Sequence, residues 1–263
     1  MSDFLLVILL ALIQGLTEFL PISSSAHLVL PNLLFGTKDF GLMFDIATHA
    51  GTLLAVMFFF KSELKNILLA WIKAPNLGDQ NYFLGLLLLA ATLPIILIGF
   101  IFGNEVTARN ISIQQIAWFN LIFALALLAA YQFGRKSKDL SQLTFWQALI
   151  IGSMQAFAIL PGASRSGMAI TGGMLIGLKL IPAAKFAFLL AIPTILGSVF
   201  FMGIEVMYSL DTLNILAISL GFLISGAIAF LTMKFFLKLV EKIGLIPFVA
   251  YRLVLGISLL LFI

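Results

Sequence analysis

The chain has 263 residues, of which 62% are hydrophobic and 10% are charged, and its formal net charge is +4. A soluble domain is about 45–50% apolar and about 25% charged, so this composition excludes an ordinary soluble protein. The basic residues lie in short gaps between apolar runs, as in the cytoplasmic loops of a membrane protein rather than on a nucleic-acid-binding surface, and the absence of cysteine excludes a thiolate nucleophile.

The first predicted element is a helical hairpin over residues 4–35. An apolar helix at 4–18 is broken at Pro21, three serines follow, and a second apolar segment occupies 28–35. Because a transmembrane helix needs about 20 apolar residues, both arms are too short to cross a membrane. We expect a re-entrant hairpin that dips in from the outer side.

Six uncharged apolar runs outside the hairpins predict transmembrane helices. They cover residues 46–60, 80–104, 110–134, 186–204, 212–233 and 253–263. Four loops contain more basic than acidic residues, namely 61–79, 135–144, 179–185 and 234–242. The loop at 203–211 contains Glu205 and Asp211 and no base. The positive-inside rule therefore places the basic loops in the cytoplasm and the loop at 203–211 outside.

A second hairpin is predicted at residues 145–178. The basic loops on either side of it lie on the same face of the membrane, so the chain between them crosses an even number of times. Its two apolar arms, 145–160 and 168–178, are again short, and a polar break that begins at Pro161 separates them. A re-entrant hairpin entering from the cytoplasmic side satisfies both observations, provided that its tip is buried in protein.

The two hairpins share a skeleton. Gln14 and Gln155 lie on the first arms, a Leu-Pro pair follows each, and a serine cluster comes next. We therefore predict an all-α polytopic membrane protein with six transmembrane helices and two re-entrant hairpins, in one membrane domain over 1–263. An inverted-topology repeat would divide it into 1–131 and 140–263 and bring the polar tips together near the midplane.

The first tip carries a carboxylate, hydroxyls and an imidazole. Gln14 and Glu18 share a helix face, and a carboxylate at membrane depth marks a functional site by default. The structural alternative for Glu18 is an ion pair with Arg165. The serines at 23–25 can instead cap the second arm, and His27 can be either a hydrogen-bonded buried residue or an acid or base.

The second tip, residues 161–167, contributes an arginine, two serines and glycines. The planar guanidinium of Arg165 matches phosphate oxygens, and glycines let backbone N–H groups approach a ligand. Together the tips contain the groups required for phosphoryl transfer through a phosphoserine. The chain has no Walker A motif, which argues against a nucleoside triphosphate substrate.

The segments Gln14-Gly-Leu-Thr-Glu18-Phe-Leu-Pro-Ile-Ser-Ser-Ser-Ala-His27 and Pro161-Gly-Ala-Ser-Arg-Ser-Gly167 resemble the two signature motifs of the bacitracin-resistance family of undecaprenyl-diphosphate phosphatases. Length, span count and motif order agree over nearly the whole chain. The resemblance implies a hydrolase of the bacterial inner membrane that converts undecaprenyl diphosphate to undecaprenyl phosphate for cell-wall synthesis. It also implies a divalent cation (Mg²⁺ or Ca²⁺), a fold that is often dimeric, and an active site open to the outer face.

The resemblance also implies roles for individual residues. The catalytic residues expected from it are Glu18, Ser24, Ser25, His27 and Arg165. The substrate-binding residues expected from it are Gln14, Ser23, Gly162, Ser164, Ser166 and Gly167. The family motif usually has Ser-Thr-Gly-His where this chain has Ser24-Ser25-Ala26-His27, which leaves the nucleophile open between the two serines. We favour Ser24, which aligns with the less variable hydroxyl.

Three further residues are singled out in the spans. Asp45 and His49 lie four apart on one helix face, where they could hold a divalent cation together with Glu18, or could simply form a helical hydrogen bond. Arg252 lies inside the last apolar run, and we expect its side chain to snorkel toward the cytoplasmic interface.

A secondary transporter or flippase of a phosphorylated lipid is the alternative function. Inverted repeats with broken half-helices are typical of secondary carriers. A carrier needs polar groups for binding but no nucleophile beside a base. Release of inorganic phosphate by the purified protein distinguishes the two functions.

Overall fold

A computed structural model describes residues 2–73, 75–107, 112–207 and 214–261, without the side chains of 103–107, 205 and 207. The described residues form eleven α-helices, two short 3₁₀ helices and no β-strand. The α-helices are α1 (Asp3–Thr17), α2 (Ser24–Phe35), α3 (Gly41–Phe59), α4 (Lys61–Lys73), α5 (Gln80–Thr107), α6 (Ile113–Phe133), α7 (Phe145–Ala156), α8 (Arg165–Leu175), α9 (Leu180–Met207), α10 (Ile215–Ile243) and α11 (Ile246–Leu261). Asp211, which was used to predict an outer loop, and the Glu205 side chain lie outside the described part.

Five helices are long and apolar enough to cross a membrane. They are Gly41–Phe59, Gln80–Phe102, Ile113–Phe133, Leu180–Ile204 and Ile215–Ile243. The sixth predicted span corresponds to α11, which is apolar but has only 16 described residues. The structure is therefore that of a multi-pass, all-helical membrane protein.

Three basic segments predicted as loops are largely helical. Residues 61–79 contain α4, residues 180–185 form the first turns of α9, and residues 234–242 are the end of α10. The prediction was wrong here because lysines set the level at which a helix leaves the membrane, whereas backbone hydrogen bonding sets where the helix stops. In α10 the stop is Gly244, with φ +70°, whose N–H donates to the carbonyl of Val240.

Short helices flank both predicted breaks. α1 and α2 are separated by residues 18–23, and α7 and α8 by residues 157–164, which include a 3₁₀ turn. The residue before each second helix has the same positive φ of 74°, at Ser23 and at Ser164. Such a backbone conformation costs a non-glycine residue on the order of 1–3 kcal/mol, so the surrounding contacts must hold both tips.

The two hairpins pack on distant helices. α1 packs along α10, and α7 packs along α5. A Cβ on Gly15 would lie 2.7 Å from the carbonyl oxygen of Ser225, and one on Gly152 would lie 2.1 Å from that of Ala91. These glycines let the backbones of the paired helices approach closely, as small residues commonly do in membrane proteins.

A row of buried aromatic rings connects the first break to three other helices. Phe19 contacts Phe188 of α9 at a centroid distance of 5.3 Å, Phe188 contacts Phe236 of α10 at 5.6 Å, and Phe236 contacts Phe248 of α11 at 5.2 Å. The residue after Glu18 is thereby anchored in the main hydrophobic core.

Candidate active site

Glu18 lies at the centre of the polar residues between the hairpin tips. Its side chain is 2% exposed, and both oxygens accept hydrogen bonds. Oε2 accepts from Gln14 Nε2 at 2.9 Å and from the Ser24 hydroxyl at 2.6 Å. Gln14 reaches it from one helical turn earlier, as the spacing predicts. Both oxygens of the buried carboxylate therefore have hydrogen-bond donors.

Arg165 joins the second tip to the first. Its Nη2 lies 2.6 Å from Glu18 Oε1, in an ion pair between residues that are 147 positions apart. The ion pair considered as the structural alternative for Glu18 is thus present. The Arg165 side chain is nevertheless 19% exposed, whereas that of Glu18 is 2% exposed.

The three serines of the first tip have different partners. Ser24 donates to Glu18, whereas the hydroxyls of Ser23 and Ser25 lie 3.2 Å apart and pair with each other. Ser23 is buried and Ser25 is exposed. Ser24 is the serine whose hydroxyl meets a carboxylate that can take its proton.

The serines of the second tip hold the two tips together. Ser164 and Ser166 have hydroxyls 3.2 Å apart, which repeats the Ser23–Ser25 pair. Ser166 donates to the Leu20 carbonyl at 2.9 Å, and the Ser164 hydroxyl caps α8 by accepting from the N–H of Gly167 at 3.1 Å. The Ser164 hydroxyl also donates to the Leu20 carbonyl, at 3.4 Å, so both serines bridge the tips and Ser164 stabilises the start of α8 as well.

Two helices begin at this site. α2 starts at Ser24 and α8 at Arg165, so the N-termini of both helices lie beside the Glu18 carboxylate. A helix N-terminus carries partial positive charge and favours anions. With the guanidinium between them, the two N-termini form a region suited to a phosphate group.

His27 does not contact Ser24 or Glu18 through a hydrogen bond. Its Nδ1 lies 2.7 Å from the carbonyl oxygen of Ser23, and its Nε2 is hydrogen-bonded to the Tyr251 hydroxyl. Since a carbonyl only accepts, Nδ1 carries the proton and a neutral ring accepts from Tyr251 at Nε2. His27 therefore supports the strained Ser23 backbone in this arrangement.

The predicted metal ligands are only partly brought together. His49 Nε2 lies 3.9 Å from Glu18 Oε2, while its Nδ1 donates to the main-chain carbonyl of Asp45 at 2.8 Å. The helical hydrogen bond considered as the alternative for this pair is therefore formed. No group of three or more His, Cys, Asp or Glu side chains within the described ranges is arranged to hold a metal. Gln14 Oε1 is buried without a hydrogen-bond partner among the described residues, so one oxygen beside Glu18 is available to a ligand.

Arg252 is the largest departure from the prediction. It is fully buried, so the expected snorkelling is wrong. Its guanidinium donates to the carbonyls of Pro21 at 3.3 Å, Gly162 at 2.7 Å and Ala163 at 3.2 Å. Broken helices leave carbonyls without helical partners, and a buried cation needs acceptors, so the contacts satisfy both. The side chain therefore turns inward to the tips.

Asn120, Tyr251 and Arg252 were not predicted at the site. Asn120 Oδ1 accepts from Arg252 Nε at 2.8 Å, and its Nδ2 donates to the Arg252 carbonyl at 2.9 Å. Asn120 and Arg252 are polar residues in apolar segments of the sequence. Such residues usually face the interior of the bundle, and this pattern could have indicated both of them.

Comparisons with known proteins converge on one family. The family model described as bacitracin resistance protein BacA matches residues 7–258. The chain is 43% identical over 259 residues to the undecaprenyl-diphosphatase of Teredinibacter turnerae, covering 98% of each chain. It is 42% identical over 258 residues to that of Saccharophagus degradans, covering 98% of this chain and 97% of the relative. It is 43% identical over 263 residues to that of Chromohalobacter salexigens, covering 99% of both.

Proposed function

The chain belongs to the bacitracin resistance protein BacA family, and from this premise we propose that it hydrolyses undecaprenyl diphosphate to undecaprenyl phosphate and inorganic phosphate. Relatives matched over nearly their whole length are named for this activity. The product would be the lipid carrier that cell-wall synthesis uses again. The enzyme would be a membrane phosphatase of the bacterial inner membrane.

One observation carries the proposal. Ser24 donates to Glu18 at 2.6 Å, and the same carboxylate binds Arg165 at 2.6 Å. A hydroxyl, a proton acceptor and a phosphate-binding cation thus occupy one site, although Arg165 lies 147 positions from Glu18 in the sequence. A carrier of phosphorylated lipids needs the cation but not the hydroxyl–carboxylate pair, which favours hydrolysis over transport.

Ser24 is the nucleophile in the proposed mechanism, and Glu18 is its base. The Ser24 proton passes to Glu18 Oε2 as Oγ attacks the terminal phosphorus of the diphosphate. The bond from that phosphorus to the bridging oxygen breaks, and undecaprenyl phosphate leaves. Water then attacks the phosphoserine, the bond from phosphorus to Oγ breaks, and Glu18 returns its proton to Oγ; the water oxygen leaves in inorganic phosphate, and the proton lost by the water passes to the phosphate or to solvent.

Arg165 and the two helix N-termini stabilise the transferring phosphoryl group. Glu18 binds one guanidinium nitrogen, which orients the planar fork, and the other N–H groups would donate to the phosphoryl oxygens. Donors fixed in advance around a developing anion, in a site shielded from water, commonly lower a barrier by several kcal/mol. The ring nitrogens of His27 are engaged by the Ser23 carbonyl and the Tyr251 hydroxyl, and a role for His27 as the base, or as the acid for the leaving group, stays a prediction.

A divalent cation fits the oxygens at the first tip. Gln14 Oε1, which is buried without a hydrogen-bond partner in the described part of the chain, and the Glu18 carboxylate would supply protein ligands, with His49 next to them. Magnesium typically takes one or two carboxylates and completes its shell with water and phosphate oxygens. When bound, the ion would neutralise part of the diphosphate charge. The main-chain carbonyl of Asp45 orients the His49 ring, and a metal-binding role for the Asp45 side chain stays a prediction.

The finer topology is part of the same proposal. Both hairpins would be re-entrant, α11 would be the sixth span, and two inverted repeats would meet at the tips. The matched Ser23 and Ser164 conformations and the matched packing of α1 on α10 and α7 on α5 support a repeat. The site would open to the outer face, and a homodimer stays a prediction.

Release of inorganic phosphate tests the function. The purified wild type, incubated with undecaprenyl diphosphate in detergent, should release one phosphate per lipid, and denatured enzyme from the reaction should carry a phosphate on the peptide with Ser24. Absence of phosphate release from a folded preparation, with lipid transport in vesicles, would establish the carrier instead.

A further inference from the structure

Arg252 of α11 makes contacts that the proposed chemistry does not use. Its side chain is among the largest that are fully buried, and no carboxylate within the described ranges forms an ion pair with it. Leaving a buried cation without partners costs several kcal/mol, so its position requires compensating acceptors. Its guanidinium donates four hydrogen bonds, all to neutral oxygens: three are tip carbonyls and the fourth is Asn120 Oδ1.

The carbonyls belong to both hairpin breaks. Pro21 is three residues before Ser24 and two before the strained Ser23, while Gly162 and Ala163 directly precede the strained Ser164 and Arg165. One rigid guanidinium therefore spans the backbone immediately upstream of the nucleophile and of the phosphate clamp. Its Nη1 contacts one carbonyl from each tip, at 3.3 Å to Pro21 and 3.2 Å to Ala163.

The surroundings are shaped for this side chain. A Cβ on Gly167 would lie 3.3 Å from Arg252 Nη1 and 3.1 Å from the Ser164 hydroxyl oxygen, so any larger residue there would press on both. Gly162 has φ +91°, a conformation that favours glycine and in which its carbonyl reaches Arg252 Nη2. Two glycines expected to bind substrate thus also make room for, and bind, Arg252.

We propose that Arg252 is a positioning residue, which fixes the spacing between Ser24 and Arg165 by binding the carbonyls of both tips at once. The inference rests on the proposed phosphatase function and adds a residue that contacts no reacting atom. A misplacement of about 1 Å between reacting groups can cost on the order of a hundredfold in rate. Lysine cannot replace the guanidinium, because a single ammonium has no planar fork with which to reach acceptors on two sides.

The test compares Arg252→Lys with wild type and with Arg135→Lys, a matched control at an exposed arginine. Each protein is purified full length, its melting temperature is measured, and kcat and KM are obtained from phosphate release with undecaprenyl diphosphate. We expect Arg252→Lys to lower kcat by about thirtyfold or more while KM changes less than about threefold. A folded Arg252→Lys protein with kcat within about threefold of wild type would overturn the proposal.

A double-mutant cycle separates positioning from general stability. If Arg252 acts by aligning Arg165 with Ser24, then Arg252→Lys should cost much less in an Arg165→Lys background, at most about fivefold. Equal losses in both backgrounds would mean that Arg252 is only structural. Should Arg252→Lys not fold, Asn120→Ala removes one acceptor and leaves the carbonyl contacts; about a tenfold loss of kcat at unchanged KM is expected, and an unchanged kcat would contradict positioning.

A wild type that releases no phosphate would defeat the proposed function itself, and the positioning role with it. That outcome is distinguishable from an active wild type whose Arg252 variants keep their kcat. In the second case the phosphatase stands, and Arg252 is a structural residue.

Discussion

Replacing Glu18 by Gln keeps the shape of the side chain but removes its charge and one acceptor. The carboxylate accepts from Arg165 through Oε1 and from Ser24 and Gln14 through Oε2. A glutamine must place its NH₂ group at one of these oxygens, so a donor then faces either the guanidinium or two other donors. Neither orientation restores the wild-type contacts.

The expected loss follows from the two functions that disappear. A hydrogen bond to a charged group contributes about 1.5–3 kcal/mol, and removal of a general base typically costs about 10²–10⁴ in rate. We expect kcat/KM to fall by at least about a thousandfold, near 4 kcal/mol. The assay is phosphate release from undecaprenyl diphosphate, with melting temperature as the measure of folding.

Glu241→Gln is the matched control, since Glu241 is exposed near the end of α10. It should keep wild-type activity. If folded Glu18→Gln enzyme retains more than about a tenth of kcat/KM, less than about 1.4 kcal/mol of transition-state stabilisation has been lost. The carboxylate would then serve mainly to neutralise Arg165, and the base would have to be another group.

Two further predictions concern the site, and a third concerns the topology. Ser24→Ala should abolish turnover and phosphoserine formation, whereas Ser25→Ala, which loses only the contact to Ser23, should keep at least about a tenth of kcat; full activity in Ser24→Ala would rule out Ser24 as the nucleophile, and full activity in both variants would mean that water attacks directly. Arg165→Lys should lower kcat/KM by at least about a hundredfold, near 2.7 kcal/mol, and near-normal activity would favour a simple ion pair with Glu18. Cysteines at Ser137 and at Ser209, which lies in the predicted outer loop and outside the described residues, should react with an impermeant thiol reagent from opposite sides of the membrane, and labelling from one side would refute the topology.

The meeting of Glu18, Ser24 and Arg165 could be predicted from the sequence. Each is a polar residue next to a proline break in an apolar segment, and the cost of burying a carboxylate or a guanidinium requires that they find partners. The same reasoning could not assign the partners of single hydroxyls. The three adjacent serines cannot be distinguished in the sequence. The direction in which α2 starts determines that Ser24, and not Ser25, contacts Glu18.

Arg252 and His27 show where sequence reasoning stopped. The position of Arg252 near the end of an apolar run is compatible with snorkelling and with burial. Which of the two occurs depends on the residues that face the side chain in the folded protein. The free carbonyls at both breaks, which come from residues far away in sequence, decide it. Likewise, the His27 ring turns to Tyr251 because α11 lies beside the first tip, a contact over 224 positions that no local pattern encodes.

The packing of α1 against α10, which lies far away in the sequence, has a consequence for biosynthesis. α1 and α2 leave the ribosome first, but α10, against which α1 packs, is complete only at Ile243. At about 5–20 residues per second, the roughly 200 intervening residues take about 10–40 s to make. Until Arg165 and α10 have been synthesised, Glu18 lacks its ion-pair partner and α1 lacks the helix against which it packs. A nascent chain must therefore keep an acidic, incomplete hairpin out of the hydrocarbon, and a truncated N-terminal half should be a substrate for membrane proteases rather than a stable fragment.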